Sequence, residues 1–198
     1  MVFGLFRRRT QPSEYALYGA IVAQARQPEL YSRLGVPDTI DGRFDMMILH
    51  AVLLFRRLQG EGKEVAAVSQ SVFDIFFADM DGSLREMGIS DNAVPKKVKR
   101  MAEAFYGRAA AYGAALDAGD VHALAAAIDR NVFADASSPA SALALAHYAV
   151  KSAAQLSAAP VKEILAARLP WPAPGEAASA GGKGPAEGGA DAHGANHV

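Results

Sequence analysis

Apolar residues recur at three- and four-residue steps along most of this chain, and no convincing run of every-second-residue alternation is present. That period is the helical one, because residues three and four apart lie on one face of an α-helix. The sequence predicts helices and no strand. Ser13 is placed to cap a helix reaching about Arg26, and Pro28 opens a short one through Arg33. Asp41-Gly42 precedes a helix from Arg43 to about Leu58, with Phe44, Met47, Ile48, Ala51, Leu54, Phe55 and Leu58 on its stripe. The next, Glu64 to Met80, is apolar over much of its circumference, which predicts that it lies with the Arg43–Leu58 helix at the centre. Gly82 and Gly88 bracket a separate turn. Ser90 starts a helix with Pro95 near its beginning and Val94, Val98, Met101, Phe105, Tyr112 and Leu116 on one side. Asp120 caps a helix through Val132, Ser138-Pro139 opens one to about Ser157, and Pro160 opens a last one to Leu169. The expected fold class is all-α, a compact bundle of about seven or eight helices with a disordered C-terminal tail.

Three zones follow. Residues 1–12 form an apolar and basic N-terminal arm, residues 13–170 the helical domain, and residues 171–198 a Gly/Ala/Pro-rich tail expected to be disordered. A chain of 198 residues is long enough for one ordinary domain with its own core. It has no cysteine, which removes thiol catalysis, thiolate metal sites and disulfides. Its net charge of −1 argues against nucleic acid as a partner, since such binders carry a basic excess. The longest apolar run, Met46 to Phe55 with His50 inside it, is well short of the ~20 residues of a spanning helix. The N-terminus places its arginines after the apolar residues, the reverse of a secretory signal, so a cytoplasmic location is expected.

The charged residues concentrate between Asp79 and Arg108. Asp79-Met80-Asp81-Gly82-Ser83 invites a calcium reading, but glycine falls at the fourth position and Glu86 at the eighth, where an EF-hand loop needs the sixth and twelfth. A solvated helix end is favoured over a metal there. Arg85 is placed to pair with Asp81 across one helical turn. Lys96, Lys97, Lys99 and Arg100 sit near a helix N-terminus, against the helix dipole, and this placement points to an external partner or lipid. Phe105 and Tyr112 share a face and read as core, whereas Tyr106 points elsewhere. His50 lies inside an apolar helix; a satisfied core histidine is the commoner role, and haem ligation the competing one. In the arm, Phe3, Leu5 and Phe6 with Arg7, Arg8 and Arg9 suit transient contact with an anionic membrane, the three arginines contributing on the order of 3 kcal/mol. No catalytic set, nucleophile elbow or phosphate loop is present.

The order Asp41-Gly42-Arg43-Phe44-Asp45-Met46-Met47, then Phe76-Phe77-Ala78-Asp79-Met80-Asp81, then Ser83-Leu84-Arg85-Glu86-Met87-Gly88, then Asp91, Val94, Lys96, Lys97, Val98, Lys99, Met101, Ala102, Glu103, Phe105, Tyr106, Gly107 and Arg108 resembles the ubiquinol–cytochrome c chaperone family, over roughly residues 30–150. Members are assembly factors for respiratory complex III. The resemblance implies an all-helical, non-enzymatic chaperone with no cofactor, which holds newly made cytochrome b and in mitochondria works with a small partner protein on the matrix side. For a bacterial member the equivalent side is the cytoplasm, with peripheral contact at the inner face of the membrane. The expected partner-binding face combines Asp79, Asp81, Arg85, Glu86, Lys96, Lys97, Arg100, Tyr106 and Arg108. The alternative is a module that docks on anionic lipid through the arm and the lysine cluster, without a cytochrome client.

Overall fold

A computed structural model describes residues 11–176. Among them are eight helices and no strand: α1 Pro12–Ala25, α2 Pro28–Ser32, α3 Ile40–Leu58, α4 Lys63–Glu86, α5 Val94–Ala118, α6 Val121–Val132, α7 Pro139–Ala158 and α8 Val161–Leu165. The all-α expectation holds. The arm residues Phe3, Phe6, Arg7, Arg8 and Arg9 lie outside the described residues.

The bundle is organised around α3. Met46, Ile48, Leu49, Ala51, Leu53 and Leu54 are all buried, and helices α1, α4, α5, α6 and α7 pack around that one rod. Its start is set by Thr39, whose side chain accepts from the Gly42 N–H at 3.1 Å. Gly42 is buried there because the Pro37 carbonyl oxygen occupies the space a Cβ would need. At the far end of α5, Gly119 takes a left-handed conformation (φ 65°) that closes the helix, and Asp120 caps α6 by accepting from the Ala123 N–H at 2.9 Å.

Several boundaries differ from the sequence reading. Helix α1 begins at Pro12, with the Gln11 N–H bonded to the Glu14 carboxylate at 2.6 Å, so Ser13 is not its cap. Helix α4 does not stop at Met80; it runs through Gly82 and Ser83 to Glu86. Burial of Met80 and Leu84 keeps its apolar stripe in the core for that extra length, which outweighs the ~1 kcal/mol cost of an interior glycine. Gly88, at φ 78°, lies in the turn beyond it. Ser90 and Asp91 belong to that turn, and α5 starts at Val94. Helix α4 is also not a second central helix. Its buried side chains are Val65, Val72, Ile75, Phe76, Met80 and Leu84, while Val68, Phe73 and Phe77 remain half-buried on another side.

The ordered fold extends past the expected tail boundary. Trp171 packs edge-on against His50 with ring centroids 5.1 Å apart, and the Pro172 carbonyl accepts from Gln24 at 3.4 Å. Glu176 pairs with Lys151 at 2.6 Å. Composition alone misassigned residues 171–176, because one indole and two prolines on a prepared surface need little further burial to hold a short segment. The rest of the tail, from residue 177, lies outside the described residues.

Candidate functional site

Helix α4 diverges from α3 after the Gln59–Gly62 connection, and α5 returns beside it. The three helices leave an open groove of about 530 Å³ whose lining includes Val52 and Phe55 from α3, Phe73 from α4, and Phe105, Tyr106 and Gly113 from α5. Its aromatic residues form a continuous cluster. Phe73 is the hub: its ring centroid lies 5.3 Å from Phe105, 5.8 Å from Tyr106, 6.2 Å from Phe55 and 4.7 Å from Phe77. Phe105 is buried beneath them, and Tyr106 is 61% exposed. Separations of 4.5–7 Å are those of favourable offset and edge-to-face aromatic contact. The groove wall is therefore preformed while much of its aromatic surface still faces outward. Its far end is polar, where Arg56 pairs with Asp117.

The residues expected to form a partner face divide into three groups. Asp79, Asp81 and Arg85 are occupied within the fold. The Tyr18 hydroxyl donates to Asp79 at 2.6 Å, and burial together with that carboxylate pushes the Tyr18 ionisation well above its usual range. Arg85 bonds Asp81 at 2.6 Å, as the spacing predicts, and also pairs with Asp91 across the turn. Glu86, Lys96, Lys97, Arg100 and Tyr106 are exposed, and none of the four charged groups has an ion-pair partner among the described residues. Lys99 is held only by Glu103, at 3.8 Å. Arg108 leaves the set altogether. Its guanidinium turns inward, only 15% exposed, and its Nη2 lies 2.7 Å from Asp45 Oδ1. Burial raises the Asp45 carboxyl to about 6, with Arg108 pulling it down and Asp41 pushing it up. Tyr112, beside this pair, is driven upward by burial and by the Asp45 charge. This cluster clamps α5 to α3.

His50 is fully buried with both ring nitrogens engaged. Nδ1 lies 2.7 Å from the Met46 carbonyl oxygen, so it must donate; Nε2, 2.8 Å from the Tyr148 hydroxyl, then accepts. The Tyr148 oxygen in turn accepts from Gln24 at 2.9 Å. Burial drives the imidazole down to about 4 and the Tyr148 hydroxyl up to about 12, so both are neutral near pH 7. A haem iron would have to break one of these bonds. The histidine ties α1, α3, α7 and the Trp171–Glu176 segment together. Among the described residues no group of three or more His, Asp or Glu is arranged to hold a metal ion, and Asp79 and Asp81 are already bonded to Tyr18 and Arg85.

A groove walled by half-buried phenylalanines and the exposed Tyr106, on a helix that also carries unpaired lysines, suits a binding partner. Residues 32–171 match the family described as ubiquinol-cytochrome C chaperone. The chain belongs to that family. Its fold is shared with the crystal structure of the Cbp3 homolog from Brucella abortus, at 41% identity and a TM-score of 0.75, the match covering 82% of this chain and 90% of that one. Mouse ubiquinol-cytochrome c reductase complex assembly factor 1 is 26% identical over 117 residues, 59% of this chain. The matched part spans 39% of the mouse protein's length. Asp45, Phe73, Phe105, Tyr106 and Arg108 all fall inside the family-matched region. No described helix is long and apolar enough to cross a membrane.

The exposure of Tyr106, Lys96 and Lys97 was expected from the sequence; the groove was not. The available signal was the surplus of apolar residues on α4. It reads as centrality in the helix pattern, yet only one stripe is needed for the core, and Phe73 and Phe77 lie off it.

Proposed function

We propose that this chain is a non-enzymatic assembly chaperone of respiratory complex III, and that it binds newly made cytochrome b through the α3–α4–α5 groove and the exposed charges beside it. The observation that carries the reading is the aromatic wall of Phe55, Phe73 and Tyr106, held half-open in a chain of the ubiquinol-cytochrome C chaperone family. Aromatic side chains on a rigid frame supply binding energy at small ordering cost. The buried titratable groups Asp45 and His50 are engaged in holding helices together, which supports a binding role over a chemical one. Of the expected face, Glu86, Lys96, Lys97, Arg100 and Tyr106 are available to a client; Asp79, Asp81 and Arg85 shape the surface beside them.

The test is capture. Wild type and a Lys96→Glu, Lys97→Glu, Arg100→Glu variant are compared for retention of newly made cytochrome b in a pull-down. Capture should fall several-fold in the variant while its circular dichroism and melting temperature stay unchanged. Full capture by the folded variant rejects this face. Deleting the gene and recording the b-type cytochrome spectrum of the membranes tests the role itself; complex III at normal levels would reject it.

A further inference from the structure

Helix α5 carries an ordered series along one side. Lys99 precedes Tyr106 by seven residues, two helical turns, and so shares its side, while Lys96, three residues earlier, borders that side about a quarter-turn round the helix. Gly113 and Asp117 follow on the same side and line the groove. The series reads basic, aromatic, small, acidic. Its two ends are not equivalent. Asp117 is already paired with Arg56, which cancels its charge. At the other end Lys96 has no ion-pair partner among the described residues, and Lys99 has only Glu103, at 3.8 Å. The surplus charge is therefore positive and lies at one end.

The middle of the series is shaped for close approach. A Cβ placed on Gly113 would meet no atom within 4 Å, so the space above this glycine is not filled by the chain itself. Ala66 from α4 and Ala109 from α5 line the same stretch with small side chains. Small residues let a neighbouring helix backbone come near, and the adjacent Phe73 and Tyr106 offer a surface for its apolar side. From Lys99 to Asp117 the helix rises about 27 Å, the length of about 18 helical residues.

We propose that the groove seats a single helix of the client polypeptide, apolar on the side that meets Phe73, Tyr106 and Gly113, with an acidic stretch at the end lying over Lys96 and Lys99. This rests on the client-binding reading above and names the chemistry of the segment that is bound. The apolar half supplies affinity and the cations set direction: a helix inserted the wrong way round would place its acids against the neutralised Arg56–Asp117 end and lose that attraction.

The experiment measures fluorescence anisotropy of labelled 18-residue helical peptides with the full chain. Three peptides share one apolar face and end in four Glu, four Gln or four Lys. The Glu-ended peptide should bind about tenfold more tightly than the Gln-ended one, and the Lys-ended one most weakly. Gly113→Leu should reduce binding of the Glu-ended peptide by about tenfold while the melting temperature holds or rises, because leucine is the better helix former and the space above it is open. Lys96→Glu with Lys99→Glu should reverse the preference toward the Lys-ended peptide. Equal binding of the three peptides, or wild-type binding by Gly113→Leu, overturns the proposal. So does binding to phosphatidylglycerol vesicles without binding to any peptide, which would assign the cations to lipid. Because the probes are synthetic, peptide failure with intact cytochrome b capture removes this inference alone.

Discussion

Gly42 and His50 show how single positions hold this fold. The Pro37 carbonyl lies where a Gly42 side chain would project, and the obstacle is backbone, which cannot rotate away. Gly42→Ala should therefore destabilise the protein by about 1–3 kcal/mol, read as a lower denaturant midpoint with an unchanged helical spectrum. His50 makes a pH-dependent contribution. Its pKa is about 4 in the fold against an ordinary 6.5, so the unfolded chain takes up the proton first as pH falls. The stability tied to neutral His50 is present above pH 6.5 and is lost between 6.5 and 4, roughly 3 kcal/mol in all. Asp45 acts in the opposite sense: its raised pKa, about 6 against 3.8, adds stability as pH drops through that range. Comparing variants separates the two. The stability advantage of wild type over His50→Gln should shrink as pH is lowered from 7 to 4.5, in chemical denaturation at each pH. That His50 is a core residue was legible from its apolar neighbours. Its partners Tyr148 and Gln24 were not, since they lie 98 and 124 or more positions from the residues they bond, and only packing brings such groups together.

Helix α4 serves two tasks on two faces. Phe76 is 1% exposed, between Tyr18, Phe44 and Phe105, whereas Phe73 lines the groove. Phe76→Ala should cost about 3–5 kcal/mol. Phe73→Ala should cost clearly less in the same melt yet lower client capture more, a reversal of rank that a purely structural pair would not show. The contact between α3 and α5 is polar at its heart. Arg108→Ala leaves the buried Asp45 carboxylate without its cation and should destabilise by about 3–5 kcal/mol, while the double variant Asp45→Leu, Arg108→Met should recover most of that loss. Helix count and order could be read from apolar spacing because each helix keeps a continuous stripe. The end of α4 could not, because Gly82 signals a stop locally and only the burial of Leu84 in the assembled bundle overrules it. The inward turn of Arg108 was hidden for a related reason. A basic residue beside an exposed tyrosine looks like surface until its carboxylate partner, sixty-three positions earlier, is in place.

At the scale of the whole molecule, one side is sealed and another is open. The α1–α3–α7 side is sealed by the His50 bonds and by the segment that follows α8. The α3–α4–α5 side is left unsealed, with aromatic rings partly in water. A chaperone needs both, since a frame that deformed with its client would lose the pre-ordering that makes capture favourable. The family was legible in the resemblance, and the exposure of Glu86, Lys96, Lys97, Arg100 and Tyr106 in the sequence pattern. The groove itself was not legible because it is a gap between helices, set by how far α4 swings away from α3. Trp171 is the chain's single tryptophan, and its ring rests against His50 at the seam where the C-terminal segment meets the bundle. The protein thus carries its one indole fluorophore, excitable apart from its tyrosines, at the clasp of its sealed half. Its emission should shift to longer wavelength when that clasp lets go, and stay constant as a client fills the groove, so that one optical signal separates loosening of the frame from occupancy.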